Sequence, residues 1–206
     1  MTLLRIGCAL LAAGGSTRLG RPKQLLTLRS QGRPLVCHVL EQLEAAELTH
    51  CAVVLGSDAE LIGRALASQR WERLDNSAWT EGIASSIRVA AQWAHAHRLD
   101  ALMLSVCDQP RLTSQHVRAL WHTHALRGAT VASGYAGTRG VPAVFTASWY
   151  PRLQALSGDR GAGALLREDP EVVVVDWPDG AFDIDTPDDV QASSDLVDRS
   201  SAQDEH

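Results

Sequence analysis

Three cationic side chains stand in a glycine-rich stretch near the start of the chain, between residues 10 and 24. The cations Arg18, Arg21 and Lys23 are interleaved with three glycines, which are Gly14, Gly15 and Gly20. Glycine permits the positive φ angles that turn successive backbone N–H groups into one concavity. Such a concavity beside three cations predicts a polyphosphate site. The ordinary alternative is a strand-to-helix turn with solvated cations, but a simple turn needs neither three glycines nor three cations.

Two common phosphate-binding motifs do not fit this stretch. Gly15 and Gly20 have the spacing of the first half of a Walker A loop, but Arg21-Pro22 follows where Lys-Ser/Thr is required. The dinucleotide fingerprint fails because Gly14 and Gly15 are adjacent. The stretch therefore indicates an anion site of another type.

Carboxylates follow two other apolar segments. Asp108 comes directly after the apolar run 101–107 and precedes a proline-containing turn, a position suited either to a hard cation or to simple turn formation. Asp183 and Asp185 alternate on a short extended segment, so they are expected to point to opposite faces. One of the two could join Asp108 at a metal while the other is structural. Thr186 is a natural N-cap for the helix that follows.

A polar segment places Asn76, Trp79, Gly82 and Ser86 just before and within the start of a helix. The N-terminal end of a helix can bind an anion or present hydrogen-bonding groups to a nucleotide base. A tryptophan packed over the helix start is an equally good explanation of the same pattern.

The elements needed to position these residues alternate along the chain. Strands are predicted over 3–11, 51–55, 71–74, 101–106, 130–133, 141–145 and 171–176, with a glycine-rich connection over 134–140. Helices are predicted over 34–47, 58–69, 83–97, 113–126 and from 187, with two short helices around 157–161. Asp58 and Thr113 are expected to cap the helices that they begin. This alternation predicts an α/β fold with a largely parallel sheet. Ligands of such sheets bind beyond the carboxyl ends of the strands, where the glycines and Asp108 are expected.

Size and composition are those of one globular domain. The chain has 206 residues, 45% hydrophobic and 21% charged, and we expect a single domain over 1–192 with a polar, frayed tail over 193–206. A net charge of −5 argues against nucleic acid or an anionic membrane as the main partner. No run reaches the ~18 apolar residues of a membrane helix. The first apolar run is interpreted as a strand rather than a secretion signal, so a cytoplasmic location is expected.

Six motifs together resemble the nucleotidyltransferases that include molybdenum cofactor cytidylyltransferase. They occur in the family's order and span nearly the whole chain: Leu11-Ala12-Ala13-Gly14-Gly15-Ser16-x-Arg18-x-Gly20-x-Pro22-Lys23-Gln24, Asn76-x-x-Trp79-x-x-Gly82-x-x-x-Ser86, Asp108-Gln109-Pro110, Gly140-x-Pro142-x-x-Phe145, Gly158-Asp159-x-Gly161-Ala162 and Asp183-Ile184-Asp185-Thr186-Pro187.

The resemblance implies a three-layer α/β/α Rossmann-like fold that binds a nucleoside triphosphate and Mg²⁺. It implies transfer of the nucleoside monophosphate to a phosphorylated acceptor, here molybdopterin, with release of pyrophosphate. By position, the nucleotide would be bound by Leu11, Ala12, Ala13, Gly14, Gly15, Ser16, Arg18, Lys23, Gly82 and Ser86. Arg18, Lys23 and Asp108 would be the catalytic residues, and Asp108 and Asp185 would hold the metal. The Leu-Ala-Ala-Gly-Gly sequence is similar to the cytidylyl branch, which favours CTP.

The chain departs from the family pattern at two positions. Ser77 stands where the family usually has proline, and Gly163 stands where it commonly has arginine. The second change removes a cation near the expected acceptor, and Arg160 is one candidate to replace it. The acceptor therefore stays open between molybdopterin and a sugar or polyol phosphate. A non-catalytic accessory protein that serves a molybdoenzyme is the alternative from a different functional class.

Overall fold

The predicted alternation of strands and helices is present in a computed structural model, which describes residues 4–28, 32–67 and 70–193. The strands in these residues are β1 (Ile6–Leu11), β2 (Thr27–Leu28), β3 (Arg33–Pro34), β4 (His50–Leu55), β5 (Glu72–Asp75), β6 (Ala101–Val106), β7 (Val131–Tyr135), β8 (Thr138–Thr146) and β9 (Val173–Asp176). The α-helices are α1 (Leu35–Glu44), α2 (Ala59–Ala65), α3 (Ile83–Ala96), α4 (Ser114–Arg127), α5 (Tyr150–Gln154), α6 (Ala162–Glu168) and α7 (Pro187–Ala192). The predicted helix end at Gln69 and the predicted tail over 193–206, except for Ser193, lie outside the described residues.

Seven strands form the main sheet, in the order β5-β4-β1-β6-β8-β7-β9. Only β8 runs antiparallel to its neighbours in this sheet, so the predicted, largely parallel sheet is confirmed. The strand order changes direction at β1, which pairs with β4 on one side and β6 on the other. This is the point where a doubly wound sheet opens a crevice for a ligand.

Helices cover both faces of the sheet and give the expected three layers. Along β1 the side chains of Cys8 and Leu10 belong to one buried cluster, which α1, α2, α4 and α7 cover. Ala9 and Leu11 belong to the other cluster, beneath α3, α5 and α6. All six residues of β1 are buried, as a continuous apolar run predicts for a central parallel strand. No helix in the described part of the chain has both the length and the apolar character needed to cross a membrane.

The connection between β7 and β8 differs from the prediction. Residues 134–140 are not a long glycine-rich loop, because strand pairing continues to Tyr135 and resumes at Thr138. The turn consists of Ala136 and Gly137, whose φ angles of 49° and 72° suit a tight two-residue hairpin. An alanine at positive φ has no recognisable turn signature, which explains the error.

Two predicted helix caps have different outcomes. Thr113 caps α4 as expected, with its hydroxyl accepting a hydrogen bond from the backbone N–H of His116. Asp58 stands at the N-cap position of α2, but its side chain does not cap the helix. The carboxylate instead accepts a hydrogen bond from the Ser57 hydroxyl at 2.8 Å, so this part of the prediction is wrong.

Candidate nucleotide and metal site

The stretch after β1, residues 12–22, is called the glycine loop, and a buried glutamine holds it in place. The Gln24 side-chain amide donates hydrogen bonds to the carbonyl oxygens of Ala12 and Gly14, both at 2.9 Å. The Ser16 hydroxyl accepts a hydrogen bond from the Lys23 backbone N–H at 3.0 Å. These contacts fold the loop back on itself and bring Lys23 close to the end of β1.

Some backbone N–H and carbonyl groups of the glycine loop form hydrogen bonds within the protein, and other parts of its backbone are exposed. Ala12 donates its N–H to Val54 at 2.9 Å, and the Ala13 carbonyl accepts from the Ser57 N–H at 3.0 Å. Gly14 is exposed, and a Cβ there would meet nothing within 4 Å. The open part of the predicted nucleotide site is therefore Gly14 and the residues that follow it.

Trp79 packs directly against the glycine loop. A Cβ atom at Gly15 would lie 3.0 Å from the indole ring, and one at Gly56 would lie 2.6 Å from the Trp79 Cβ. Both positions therefore need glycine for this close packing. The contact joins the loop after β1, the loop after β4 and the segment before α3 at one edge of the sheet.

The ammonium group of Lys23 lies between two carboxylates from distant parts of the chain. Lys23 Nζ is 2.7 Å from Asp108 Oδ2 and 2.6 Å from Asp185 Oδ1. Asp108 follows β6, and Asp185 precedes α7. Asp108 and Asp185, here called the carboxylate pair, thus face a single point beside the glycine loop.

These ion pairs shift the pKa values of Lys23 and Asp185. Burial alone would lower the Lys23 pKa, but the negative charges and hydrogen bonds of Asp108 and Asp185 outweigh burial and raise it to about 12. Burial also tends to raise the Asp185 pKa, whereas Lys23 and then Arg18 hold it below its usual range. Arg18 contacts Asp185 Oδ2 at 2.9 Å, but its side chain is 72% exposed. Lys23 and Asp185 therefore stay charged at neutral pH, and the exposed Arg18 side chain has room to reorient.

The segment before α7 presents Asp185 to Lys23. The buried Ile184 donates its backbone N–H to the Asp108 carbonyl at 3.0 Å, which fixes the segment against the end of β6. Asp189 then accepts from the N–H of Asp185 at 3.0 Å and from that of Thr186 at 2.7 Å, completing a capping box. The Asp183 residue is exposed, but partial loss of water around its carboxylate, together with the charges of Asp108 and Asp185, raises its pKa.

Asn76 and the start of α3 form a second, mainly internal part of the site. The Asn76 side-chain amide donates to the hydroxyls of Ser85 at 2.8 Å and Ser86 at 3.0 Å, and all three residues are buried. Gly82 has a φ of 103°, and a Cβ there would lie 2.6 Å from the Gly158 carbonyl oxygen. This network fixes where α3 begins relative to the glycine loop.

A cavity of about 170 Å³ opens between β1, β6 and α3 on one side and β8 and α6 on the other. Its wall is largely apolar and includes Leu11, Ile83, Ile87, Leu104, Val106 and Val141. The opposite side carries the polar side chains of Tyr135, Thr138, Arg139 and Arg167, together with Gly163 of α6. This apolar cavity includes Leu11 at the end of β1 and Val106 at the end of β6, so it lies at the same end of the sheet as the carboxylate pair.

Two supporting residues had no predicted role at the nucleotide or metal site. Gln24 and Asp189 hold Lys23 and Asp185 in position through hydrogen bonds with backbone groups. A Ser/Thr-x-x-Asp sequence could have identified Asp189 as a cap partner, because Asp three residues after an N-cap threonine is close to a capping-box pattern. The role of Gln24 has no comparable signal in the sequence.

The carboxylate pair has the chemistry of a partial Mg²⁺ site. Mg²⁺ commonly binds one or two protein carboxylates and takes its other ligands from water and substrate phosphates. Among the described residues, no three His, Cys, Asp or Glu side chains form a cluster able to hold a metal by themselves. Two carboxylates that converge on one cation fit a metal shared with a phosphorylated substrate.

Known proteins resemble this chain over most of its length. It is 32% identical to nicotine blue oxidoreductase of Paenarthrobacter nicotinovorans over 189 residues, which are 86% of this chain and 90% of that protein. It is 28% identical to the purine catabolism protein PucB of Bacillus subtilis over 165 residues, 76% of this chain and 78% of that protein.

Solved structures share the fold. A homologue of Mycobacterium tuberculosis Rv0371c from Mycobacterium sp. strain JC1 has a TM-score of 0.78 and 27% identity, covering 92% of this chain and 94% of that one. Rv0371c from M. tuberculosis H37Rv in complex with manganese has a TM-score of 0.75 and 26% identity, covering 91% and 97%. The MobA-like NTP transferase domain matches residues 8–172, and the chain belongs to this family of nucleotidyltransferases.

Proposed function

We propose that the protein transfers CMP from CTP to the phosphate of molybdopterin, as in molybdenum cofactor maturation, and releases pyrophosphate. The observation that carries the proposal is the position of Lys23, whose ammonium joins the glycine loop to Asp108 and Asp185. A cation, two carboxylates and an exposed glycine-rich backbone at one point suit the transfer of a nucleotide from a triphosphate.

The reaction requires the side chains only to position the two substrates and to stabilise negative charge. A phosphate oxygen of the acceptor attacks the α-phosphorus of CTP, the bond to the bridging oxygen of pyrophosphate breaks, and negative charge develops on the departing group. Lys23 and Arg18 would stabilise that charge, and the open Gly14 backbone would contact the phosphates. An acceptor phosphate is already ionised at neutral pH, so the step requires no general base.

The metal would be held by Asp108 and Asp185. Mg²⁺ bound there would supply positive charge to the triphosphate oxygens. The manganese complex of a relative with 26% identity supports a divalent cation in this family. The carboxylate pair and its convergence on one cationic group are the features of this chain that support the assignment.

The base would lie near the start of α3. Gly82 and Ser86 are the predicted contacts, with the backbone of residues 11–16 on the other side of the nucleotide. Ser86 already accepts a hydrogen bond from Asn76, so its predicted contact with a base would use its remaining hydrogen-bonding capacity. The preference for CTP rests on the double alanine of the glycine loop.

The proposal is tested with purified protein, Mg²⁺, molybdenum cofactor and each of the four nucleoside triphosphates in turn. Pyrophosphate release and the dinucleotide product are measured together, and CTP is expected to be used best. Absence of release with all four triphosphates would overturn the proposed reaction. Release with a sugar or polyol phosphate instead would reassign the acceptor. Nucleotide binding without turnover would favour an accessory protein for a molybdoenzyme.

A second candidate function follows from one relative, whose name is nicotine blue oxidoreductase. An oxidoreductase without a metal or thiol redox centre would depend on a bound redox cofactor such as a nicotinamide dinucleotide. The cysteines offer no reactive thiolate, because burial raises the pKa of Cys8 well above its usual value and that of Cys51 to about 11. Oxidation of reduced nicotinamide dinucleotide by a quinone-like dye, without pyrophosphate release in the first assay, would select this function.

A further inference from the structure

The apolar cavity has its polar side chains, Tyr135, Thr138, Arg139 and Arg167, on one side, and the facing wall offers an acceptor no side-chain hydrogen-bonding group. Its wall near the end of β1 and β6 is formed by aliphatic side chains, among which Leu11, Ile87 and Leu104 are buried. A hydroxyl group placed against this wall would lose its hydrogen bonds to water without replacing them. The wall therefore favours a flat, apolar or aromatic body over a polyol.

The size of the cavity fits one ring. Its volume is about 170 Å³, and an engineered apolar cavity of about 150 Å³ in another protein binds benzene. Ile83 is 37% exposed at the start of α3 and leaves an apolar edge at the opening. A larger body could therefore extend outward from a ring held inside.

One unpaired cation stands at this cavity. Arg167 is exposed, and its guanidinium forms no hydrogen bond or ion pair with any of the residues that the structure describes. A Cβ atom at position 163 would lie only 3.2 Å from a guanidinium nitrogen of Arg167. Residues 163 and 167 are one helical turn apart on the same face of α6, so glycine at 163 leaves room for the Arg167 side chain.

The neighbouring arginines are engaged elsewhere. Arg139 also lines the cavity, but its guanidinium donates to the carbonyls of Leu166 at 3.3 Å and Asp169 at 2.7 Å. Arg160, the candidate from the sequence, forms an ion pair with Glu168 and is not part of the cavity wall. Arg167 is the arginine of the wall whose donors are available to a ligand.

We propose that Arg167 binds the anionic group of an acceptor whose aromatic ring lies in the apolar cavity. This inference rests on the proposed function for its chemical meaning, because it names the acceptor class of the same site. Arg167 serves as a binding residue that selects phosphorylated aromatic acceptors over sugar and polyol phosphates. The guanidinium reaches from one turn farther along α6 and supplies the positive charge that position 163 lacks.

Direct binding tests this inference without nucleotidyl transfer. Phenyl phosphate is the probe, with phenol and inorganic phosphate as its two halves, and dissociation constants are measured by ligand-observed NMR. Phenyl phosphate is expected to bind more tightly than either half and about 10-fold more weakly to R167M than to the wild type. Phenol binding is expected to be equal in the two proteins.

Matched variants test whether phenyl phosphate binding needs a positive charge at the cavity itself or only a positive charge somewhere in the same region. R160M removes an arginine of the same region that does not line the cavity, and it is expected to bind phenyl phosphate as the wild type does. G163R combined with R167A moves the cation by one helical turn into the space that Arg167 leaves, and it is expected to recover most of the lost affinity. Equal binding by R167M and wild type, no binding by the wild type, or equal binding of inorganic phosphate and phenyl phosphate would each overturn the inference.

Kinetics distinguish this inference from the proposed function. With molybdenum cofactor as acceptor, R167M is expected to raise KM for the acceptor about 10-fold and leave KM for CTP unchanged. If no triphosphate supports turnover but phenyl phosphate binding still depends on Arg167, the proposed reaction fails and the binding site stands. Turnover with an unchanged acceptor KM in R167M would leave the reaction intact and refute the role of Arg167.

Discussion

Replacing Lys23 with methionine is expected to destabilise the protein by about 2 to 3 kcal/mol at neutral pH. The rise in the Lys23 pKa from 10.5 to about 12 corresponds to about 2 kcal/mol in favour of the charged ammonium. Its side chain is only 16% exposed, so water screens the two ion pairs weakly. Methionine keeps the aliphatic packing but leaves Asp108 and Asp185 facing each other, with the exposed Arg18 still paired to Asp185.

Urea denaturation of K23M and wild type measures this loss, and R18M is the control. Arg18 is 72% exposed, so its removal is expected to change the free energy of unfolding by less than about 1 kcal/mol. Adding the substitution D108N to K23M removes the repulsion and is expected to recover part of the loss. A free energy of unfolding for K23M within about 0.5 kcal/mol of the wild type would refute the electrostatic reasoning.

Acid titration gives a second measurement of the same contacts. Lys23 and Arg18 lower the Asp185 pKa below its ordinary value of 3.8, so the folded state binds a proton less readily than the unfolded state. The resulting stability is present above pH 3.8 and is lost as the pH falls through the lowered pKa. In K23M this acid-dependent loss is expected to shrink, which distinguishes a lost ion pair from simple loss of packing.

Three further predictions concern the framework of the site. G82A is expected to destabilise the fold by about 2 kcal/mol or more, because position 82 has a φ of 103° and the added Cβ would lie 2.6 Å from the Gly158 carbonyl oxygen. G14A is the control: its Cβ would have open space, so it should unfold in urea like the wild type. Q24M leaves two carbonyl oxygens of the glycine loop without their hydrogen-bond donor. We expect the free energy of unfolding to fall by about 1 to 3 kcal/mol and amide hydrogen exchange in residues 12–16 to become faster; unchanged exchange would contradict the prediction. Burial lowers the His116 pKa from 6.5 to about 4, so the free energy of unfolding of the wild type is expected to fall by about 2 to 3 kcal/mol as the pH falls through that interval. H116Q removes the titrating group and should flatten this pH dependence; the same pH dependence in H116Q would contradict the prediction.

Much of the fold could be predicted because its strands are continuous apolar runs. The residues of β1 and β6 have no polar face, and this is typical of central parallel strands covered by helices on both sides. The β7–β8 connection was predicted incorrectly because pairing across the sheet extends both strands to a turn at Ala136. That pairing depends on partners that local composition does not reveal.

The site was predictable as a set of segments but not as a set of contacts. The sequence assigned Lys23 to a triphosphate and Asp108 and Asp185 to a metal as separate groups. Their mutual contact depends on the docking of Ile184 against the end of β6, which is tertiary packing. Arg167 was missed for a similar reason, since its relation to Gly163 depends on the helical geometry of α6 and not on either residue type.

In a newly made chain, the hydrogen bond from Ile184 to Asp108 can form only after the segment that carries Asp185 has been synthesised. A nascent chain that ends at residue 172, where the family match stops, contains the glycine loop and Asp108 but lacks Asp185. Domains can begin to fold during synthesis, so most of the main sheet can form before the segment that carries Asp185 leaves the ribosome. Lys23 would then have one carboxylate partner, and the second would arrive with the segment that precedes α7. Completion of the charge cluster therefore waits for that segment, and a chain that stops before it carries most of the sheet without the finished site.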